Sequence, residues 1–455
     1  MNRNIEDYIQ PGKHAHLVGI GGVSMAPLAE VLKGNGVEIT GSDMRESEAV
    51  AHLRSLGIPV TIGHLPESVE GAGCVIRTAA VHDDNPEIAA ALAVGIPVFE
   101  RAQAWGAIMR HYKNALCVAG THGKTTTTSM CTHIFLAAGR DPSVMIGGTL
   151  PILGCGHRVG RGDTIIAESC EYCNSFLSFA PTVAVILNVE ADHLDFFKDL
   201  EDIKHSFRRF AQLVPSTGSV IVNADNDGAR SIAYGLDAFT FGLEEGAECT
   251  AASLTWKRGL PTFDIVVQGK KYAHVSLRVG GKHNVSNALA AASAAWVLGV
   301  PGSAVEEGLD AFTGAGRRFE KKGVFHGADV YDDYAHHPDE LRALLTMAGT
   351  LGYQRIVCAF QPHTYTRTAA LFDQFAEVLK LADVAVLAPI YAARETDTLG
   401  MSSEKLAKQI PEAIPCPSLE AVAGRLAELA RPGDLILTVG AGDIYLAGES
   451  LLKGS

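Results

Sequence analysis

Residues 117–130 read CVAGTHGKTTTTSM, and this stretch decides the class of the fold. The apolar run NALCVAG turns through Gly120-Thr121-His122-Gly123-Lys124-Thr125 into a helical pattern. A buried strand that passes through glycines into a helix aims backbone N–H groups, a lysine and a hydroxyl at one point, the geometry that holds a triphosphate and magnesium. The loop is short for a Walker A loop, because Val118 stands where that loop has its first glycine. The strand–turn–helix context still assigns it to nucleotide phosphate, since a lysine between glycine and threonine at such a junction has little structural use. Thr126 extends the run of candidate phosphate-binding residues.

A second glycine turn lies far upstream in VGIGGVSM, after the apolar run HAHLVGI. Gly19-x-Gly21-Gly22 leads into a helical pattern, and Asp43 ends the next strand. In a dinucleotide fingerprint such glycines let the backbone approach a diphosphate while the acid takes a ribose hydroxyl. Ser24 replaces the third glycine. From these residues alone NAD or FAD, another diphosphate and a structural tight turn all stay open.

The chain has 455 residues, enough for about three domains at roughly 150 residues each. No apolar run reaches the ~18 residues a spanning helix needs, and MNRNIEDYIQPGKHAH has no apolar core before a cleavage site, so a cytoplasmic protein without membrane insertion is expected. Nine cysteines, an odd number without framework spacing, suit reduced thiols. Cys170-x-x-Cys173 would need a second such pair to read as zinc or redox chemistry, and none follows. A formal charge of −13 argues against nucleic acid as a partner, yet permits anionic small molecules held by backbone amides.

Short β-branched runs alternate with helical patterns through the first hundred or so residues, which implies parallel strands with crossover helices. The pattern restarts at NALCVAG, changes texture in LTWKRGLPTFDIVVQGKKYAHVSLRV, and resumes after the loop FTGAGRRFEKKG. We therefore expect three α/β domains: a Rossmann-like one over 1–112, a P-loop ATPase-like, mostly parallel one with a small antiparallel annex over 113–316, and a second Rossmann-like one over 317–455. NVSNALAAASAAWVLG reads as a core-packed helix. Magnesium wants hard oxygen ligands beyond Thr125, and two strand ends supply candidates: Glu168 and Glu171, then Glu190, Asp192, His193 and Asp195.

GTHGKTTTTSM, NVEADHLD, GKHNVSNALAA, GAGRRFE, DDYAHHPDE and FQPHTYTRT, in this order after HLVGIGGVSM, closely resemble the motifs of the Mur ligase family over essentially the whole chain. The resemblance is to the branch that adds L-alanine, and it implies that the first turn holds the diphosphate of a UDP-sugar and the second holds ATP. It implies an amide-bond ligase that phosphorylates the carboxylate of UDP-N-acetylmuramate and lets L-alanine attack the acyl phosphate. A tripeptide-recycling ligase is the alternative within the family; an NAD-dependent oxidoreductase is the alternative outside it.

By the same resemblance Gly19, Gly21, Gly22 and Asp43 contact the UDP-sugar. Residues 120–126 with His283, Asn284, Asn287 and Arg317 contact ATP. Lys124, His193, Arg318 and Asp333 are catalytic; Thr125, Glu168 and His193 hold two magnesium ions; Tyr334, His336 and Arg367 form the amino-acid site. One of Arg317 and Arg318 should reach the γ-phosphate. Read from the residues alone, either asparagine could instead cap a helix, and His337 a turn. The chain departs from the family pattern at Cys170 and Cys173, where acids are usual, and at Thr364, where an arginine is usual.

Overall fold

The computed structural model describes residues 4–78, 81–193, 196–393 and 395–454. It opens with β1 (His14–Val18), α1 (Met25–Gly34), β2 (Glu38–Asp43), α2 (Glu48–Ser55), β3 (Val60–Ile62), β4 (Cys74–Arg77), α3 (Pro86–Ala93), β5 (Val98–Glu100) and α4 (Arg101–Met109). The helices start where local chemistry satisfies their free N–H groups: Ser47 caps α2, and Asn85 followed by Pro86 caps α3. The strands form a parallel sheet in the order β3-β2-β1-β4-β5. The order reverses between β1 and β4, and the 19–22 turn leaves β1 at this switch point, where ligands of such sheets bind.

The chain continues with β6 (Asn114–Ala119), α5 (Lys124–Ala137), β7 (Ser143–Leu150), β8 (Cys155–Arg158), β9 (Thr164–Glu168), β10 (Val183–Ile186), α6 (Leu200–Ala211), β11 (Ser219–Asn223), α7 (Asp227–Ala233) and β12 (Ala238–Phe241). Then follow β13 (Cys249–Lys257), β14 (Leu260–Val267), β15 (Lys270–Ser276), α8 (Lys282–Val297) and α9 (Gly302–Ala311). The sheet order is β15-β14-β13-β12-β11-β10-β6-β9-β7-β8, parallel from β12 to β7, with β8 antiparallel at one edge. The annex is built by two-residue turns, Arg258-Gly259 and Gln268-Gly269, each with both residues at positive φ. That is the hairpin turn whose twist matches antiparallel strands.

The last part comprises β16 (Glu320–Phe325), β17 (Ala328–Asp333), α10 (Pro338–Gly349), β18 (Arg355–Phe360), α11 (Tyr365–Ala370), α12 (Phe372–Leu379), β19 (Val384–Leu387), α13 (Ser403–Ala407), β20 (Ile414–Pro415), α14 (Leu419–Leu429), β21 (Asp434–Val439) and α15 (Tyr445–Lys453). The order β16-β17-β21-β18-β19-β20 is parallel except for β16 against β17. The sequence places a loop through Gly323, but the chain enters β16 at Glu320. An edge strand carrying Lys321, Lys322 and an exposed Val324 has no apolar alternation to announce it.

The chain divides into two compact units, one of residues 1–253, 263–275 and 285–312, the other of 254–262, 276–284 and 313–455. The first unit holds the first sheet and the parallel part of the second over a continuous apolar core that includes Leu17, Leu28, Trp105, Ile108, Phe176, Phe207 and Phe210. Phe176 stacks on Phe210 with ring centroids 4.6 Å apart. Trp105 also donates its indole N–H to the Ser24 carbonyl at 3.2 Å, which ties α4 to the start of α1. The second unit has apolar layers on both faces of its sheet, one around Phe360 and Phe375, the other around Val330 and Ile436. Among the described residues no helix is long and apolar enough to cross a membrane.

Gly106 lets the backbone of α4 meet the segment Tyr172–Ser178, because a Cβ at this position would collide with the Ser178 carbonyl. A glycine-to-alanine change in an unobstructed helix stabilises by up to ~1 kcal/mol. Here Gly106→Ala is expected to reverse the sign and destabilise by roughly 1–3 kcal/mol through overpacking. Urea unfolding of the two proteins measures the difference, and a raised midpoint would contradict the collision.

Candidate functional site

The first turn is held open by backbone geometry. Gly19 has φ 77°, and a Cβ on it would lie 3.0 Å from Thr78 Cγ2. Its N–H and that of Ile20 both donate to the Ser42 carbonyl at 2.9 Å, and Gly22 N–H donates to Gly19 O at 3.1 Å. Asp43 ties the turn from the neighbouring strand by accepting Gly21 N–H at 2.9 Å. Below it lies a buried acid, Glu87, which accepts from Ser42 Oγ at 2.5 Å and faces His64 Nδ1 at 3.1 Å and His16 Nε2 at 3.6 Å. The two histidines and the Ser42 hydroxyl hold its carboxyl below the usual range, against the opposing effect of burial. The sheet edge under the turn is thus braced by one buried anion.

The second turn carries the denser chemistry. Gly123, at φ 83°, caps α5, and Asn287 Oδ1 stands 2.7 Å from where its Cβ would be. Lys124 curls back to donate to Gly120 O at 2.5 Å, Thr121 O at 3.1 Å and Glu171 Oε2 at 3.0 Å. Burial acts to lower its pKa, but Glu171 and the other groups around it outweigh that and raise it, so the ammonium is permanent at neutral pH. Thr125 Oγ1 donates to Glu168 Oε1 at 3.0 Å, and the other Glu168 oxygen accepts Gly147 N–H at 2.7 Å. Thr126 is partly buried in the first turn of α5.

The segment after β10 closes over this loop. Asn188 accepts His122 N–H at 2.7 Å, returns a bond to His122 O at 3.1 Å, and takes Thr121 N–H on its own carbonyl at 3.1 Å. Glu190 N–H donates to Thr121 Oγ1 at 2.9 Å. His193, with φ 52°, stands 3.8 Å from Glu171 and 3.7 Å from Asp192, and its ring lies 4.7 Å from that of Tyr172.

The expected convergence of acids is only partial. Glu190 turns to Asn226 at 3.2 Å and His122 at 3.7 Å, Asp195 lies outside the described residues, and no three His, Cys, Asp or Glu gather as a ligand cluster among the described residues. A magnesium site needs less. It commonly takes one or two carboxylates and fills the rest with phosphate and water, so the touching pair Thr125 and Glu168 fits one. Cys170 and Cys173 are exposed, and no cysteine among the described residues is in a disulfide.

At the start of α8, Asn284 donates to Gly280 O at 2.7 Å, while burial lowers the pKa of His283 and keeps its imidazole neutral. Asn287 is buried beside Gly123.

In the second unit the two arginines separate. Arg317 donates to Asp332 at 2.9 Å, Gly442 O at 3.0 Å and Gly440 O at 2.6 Å, and lies over the Tyr445 ring at 4.7 Å. Arg318 makes no side-chain hydrogen bond among the described residues and rests over the Tyr334 ring at 5.2 Å. Asp333 accepts Ala335 N–H at 2.8 Å and Phe319 N–H at 2.7 Å. Burial pushes its carboxyl up to about 6, with Arg318 pulling the other way. Burial likewise keeps His336 neutral, its Nδ1 3.1 Å from Tyr334 O. His363, pushed down to about 4 by burial and by its neighbours His336 and Arg367, sits 3.3 Å from Arg367. His337 caps α10, the bland role its place before proline allowed. Thr364 caps α11 at φ 64°.

Three family models match in chain order: Mur ligase family, catalytic domain, over residues 14–113; Mur ligase middle domain over 118–295; and Mur ligase, glutamate ligase domain, over 317–442. The chain is 46% identical to the UDP-N-acetylmuramate–L-alanine ligase of Lachnospira eligens, over 97% of this chain and 98% of that one. It is 44% identical to the enzyme of the same name from Acetivibrio thermocellus, over 97% and 96%. The crystal structure of UDP-N-acetylmuramate-alanine ligase from Thermotoga maritima superposes with a TM-score of 0.83 at 30% identity, over 97% and 98% of the two chains. The chain belongs to the Mur ligase family.

For a Mur ligase the sequence motifs do not say which side chains touch. Glu171, not Glu168, meets Lys124, and Asn188 braces the phosphate loop although nothing distinguishes it from its neighbours in NVEADHLD. Its one readable signal is an amide side chain directly after a buried strand beside a glycine loop. Asn188→Ala removes both side-chain bonds to His122, so ATP affinity should fall about 5- to 30-fold, the equivalent of ~1–2 kcal/mol. Calorimetric titration with ATP tests this; an unchanged Kd would show that the loop holds itself.

Proposed function

We propose that this chain is the ATP-dependent ligase that joins L-alanine to UDP-N-acetylmuramate in peptidoglycan precursor synthesis, acting in the cytoplasm. The observation that carries the reading is the pair of glycine turns in one chain, one with a lysine and one without. A UDP-linked diphosphate needs only backbone amides, whereas a transferable phosphoryl group needs a cation beside it. We place the domain boundaries at 112/113 and 316/317, in the connecting segments 110–113 and 313–319.

The chemical difficulty is to bring a carboxylate and a triphosphate together. In the proposed reaction a carboxylate oxygen of the sugar attacks the γ-phosphorus, the bond to ADP breaks, and an acyl phosphate results. The alanine nitrogen then attacks the acyl carbon, loses a proton, and expels inorganic phosphate. Lys124 leaves its carbonyl contacts for the β- and γ-phosphates, and Glu171 keeps its ammonium oriented. Thr125 and Glu168 would hold a magnesium ion, and His193 with Glu171 or Asp192 a second; bound there, the ions screen the phosphate charge. Arg318, whose side chain no hydrogen bond engages among the described residues, supplies the cation for the γ-phosphate, while Arg317 anchors the segment that carries it. Asp333 receives the amine, with Tyr334, His336 and Arg367 around the amino-acid carboxylate.

Phosphate release from ATP should require UDP-N-acetylmuramate and L-alanine together. Turnover that ignores the sugar would sink the reading, and use of a tripeptide in place of L-alanine would move it to a recycling ligase. Lys124→Ala should abolish turnover and leave UDP-sugar binding intact, as a binding titration of the variant will show.

The amine is handled by ionised Asp333, and its raised pKa sets the sign of the pH response. The carboxylate is present above about pH 6 and lost below it. The rate should therefore fall about tenfold per unit below that value. A pH–rate profile whose acid limb survives in Asp333→Asn would assign that limb to another group.

A further inference from the structure

Arg101 opens α4 at the carboxyl end of β5, on the same edge of the first sheet as the 19–22 turn. It is partly buried, and no hydrogen bond, ion pair or ring contact engages its guanidinium among the described residues. Its neighbour Glu100 is occupied: Arg77 Nε donates to it at 2.8 Å, and it closes a capping box with Gln103. The other ionisable group facing Arg101 is Cys170. A partly desolvated cation without an anion is unfavourable, and a ligand anion removes the penalty.

The position of this cation selects the anion. Two strand spacings separate the ends of β1 and β5, roughly 10 Å, so Arg101 stands away from the diphosphate that the 19–22 amides would hold. On its other side Cys170 lies within electrostatic reach of Lys124, and the close packing of α4 at Gly106 on the Tyr172–Ser178 segment fixes the two regions together. We propose that Arg101 binds the carboxylate of the UDP-linked sugar and presents it to the phosphate held at Lys124. A guanidinium suits this task because its planar donors match a carboxylate in two parallel bonds. The inference rests on the ligase reading above and assigns its carboxylate a residue.

The test is calorimetric titration of the full-length wild-type, Arg101→Met and Arg101→Lys proteins with UDP-N-acetylmuramate, with UDP-N-acetylglucosamine, which lacks the carboxylate, and with ATP. Arg101→Met should weaken UDP-N-acetylmuramate about 10- to 100-fold and leave the other two ligands unchanged, with Arg101→Lys recovering part of the loss. Equal affinity of wild type and Arg101→Met for UDP-N-acetylmuramate overturns the inference, and so does an equal loss for both UDP-sugars, which would place Arg101 on the diphosphate. If Arg101→Met loses ATP as well, its fold has failed and the lysine variant decides: a several-fold loss confined to the carboxylated sugar supports the assignment, and no loss overturns it. Wild-type protein that binds neither UDP-sugar overturns the ligase reading and this inference with it.

Discussion

A lysine ammonium cannot be taken out of water without a counter-charge, and the phosphate loop is built around that constraint. Lys124 is nearly enclosed, and Glu171, itself buried, meets it at 3.0 Å. Such a pair gains little net stability, because desolvating both charges offsets most of their attraction. What it secures is position. The ammonium stays charged and stays beside the start of α5, where backbone N–H groups also point. The loop carbonyls of Gly120 and Thr121 complete its coordination and are contacts that phosphate oxygens can replace.

The same logic of occupied and unoccupied charges runs through the rest of the molecule. Glu87 answers two histidines under the first turn, and Asp332 with two carbonyls answers Arg317. These groups are structural because their partners are already present. Among the described residues no hydrogen bond or ion pair engages the side chain of Arg318 or Arg101, and such a cation is available to meet a ligand anion. Adjacent arginines in one motif thus divide into an anchor and a free cation. Asp333 is intermediate. Two backbone N–H bonds fix its orientation, yet burial keeps its proton affinity high enough for it to exchange a proton near neutral pH.

The departures from the family pattern sit in places the structure can accommodate. Cys170 and Cys173 flank Glu171 outside any disulfide and join no ligand cluster among the described residues, so Glu168 and Thr125 remain the pair suited to magnesium. Thr364 caps α11 and leaves Arg367 one turn on, against His363. The loss of acids around Lys124 leaves Glu171 as the close carboxylate partner of that lysine.

By itself the sequence determined the alternation of strands and helices, the two glycine turns and the loops that carry chemistry, because backbone conformation at glycine and apolar periodicity are local properties. It also placed Lys124 and Thr125 correctly at a strand–helix junction. It did not show β16, whose charged edge lacks a periodic signal, nor that the first sheet and the parallel part of the second share one core, which depends on Gly106 admitting a distant carbonyl. The pairing of Glu171 with Lys124, of Asn188 with His122, and the separation of Arg317 from Arg318 were decided by tertiary structure alone. Each is a contact between side chains and segments distant in the chain, and which charges are answered follows from where the strands end in space, not from spacing along the sequence.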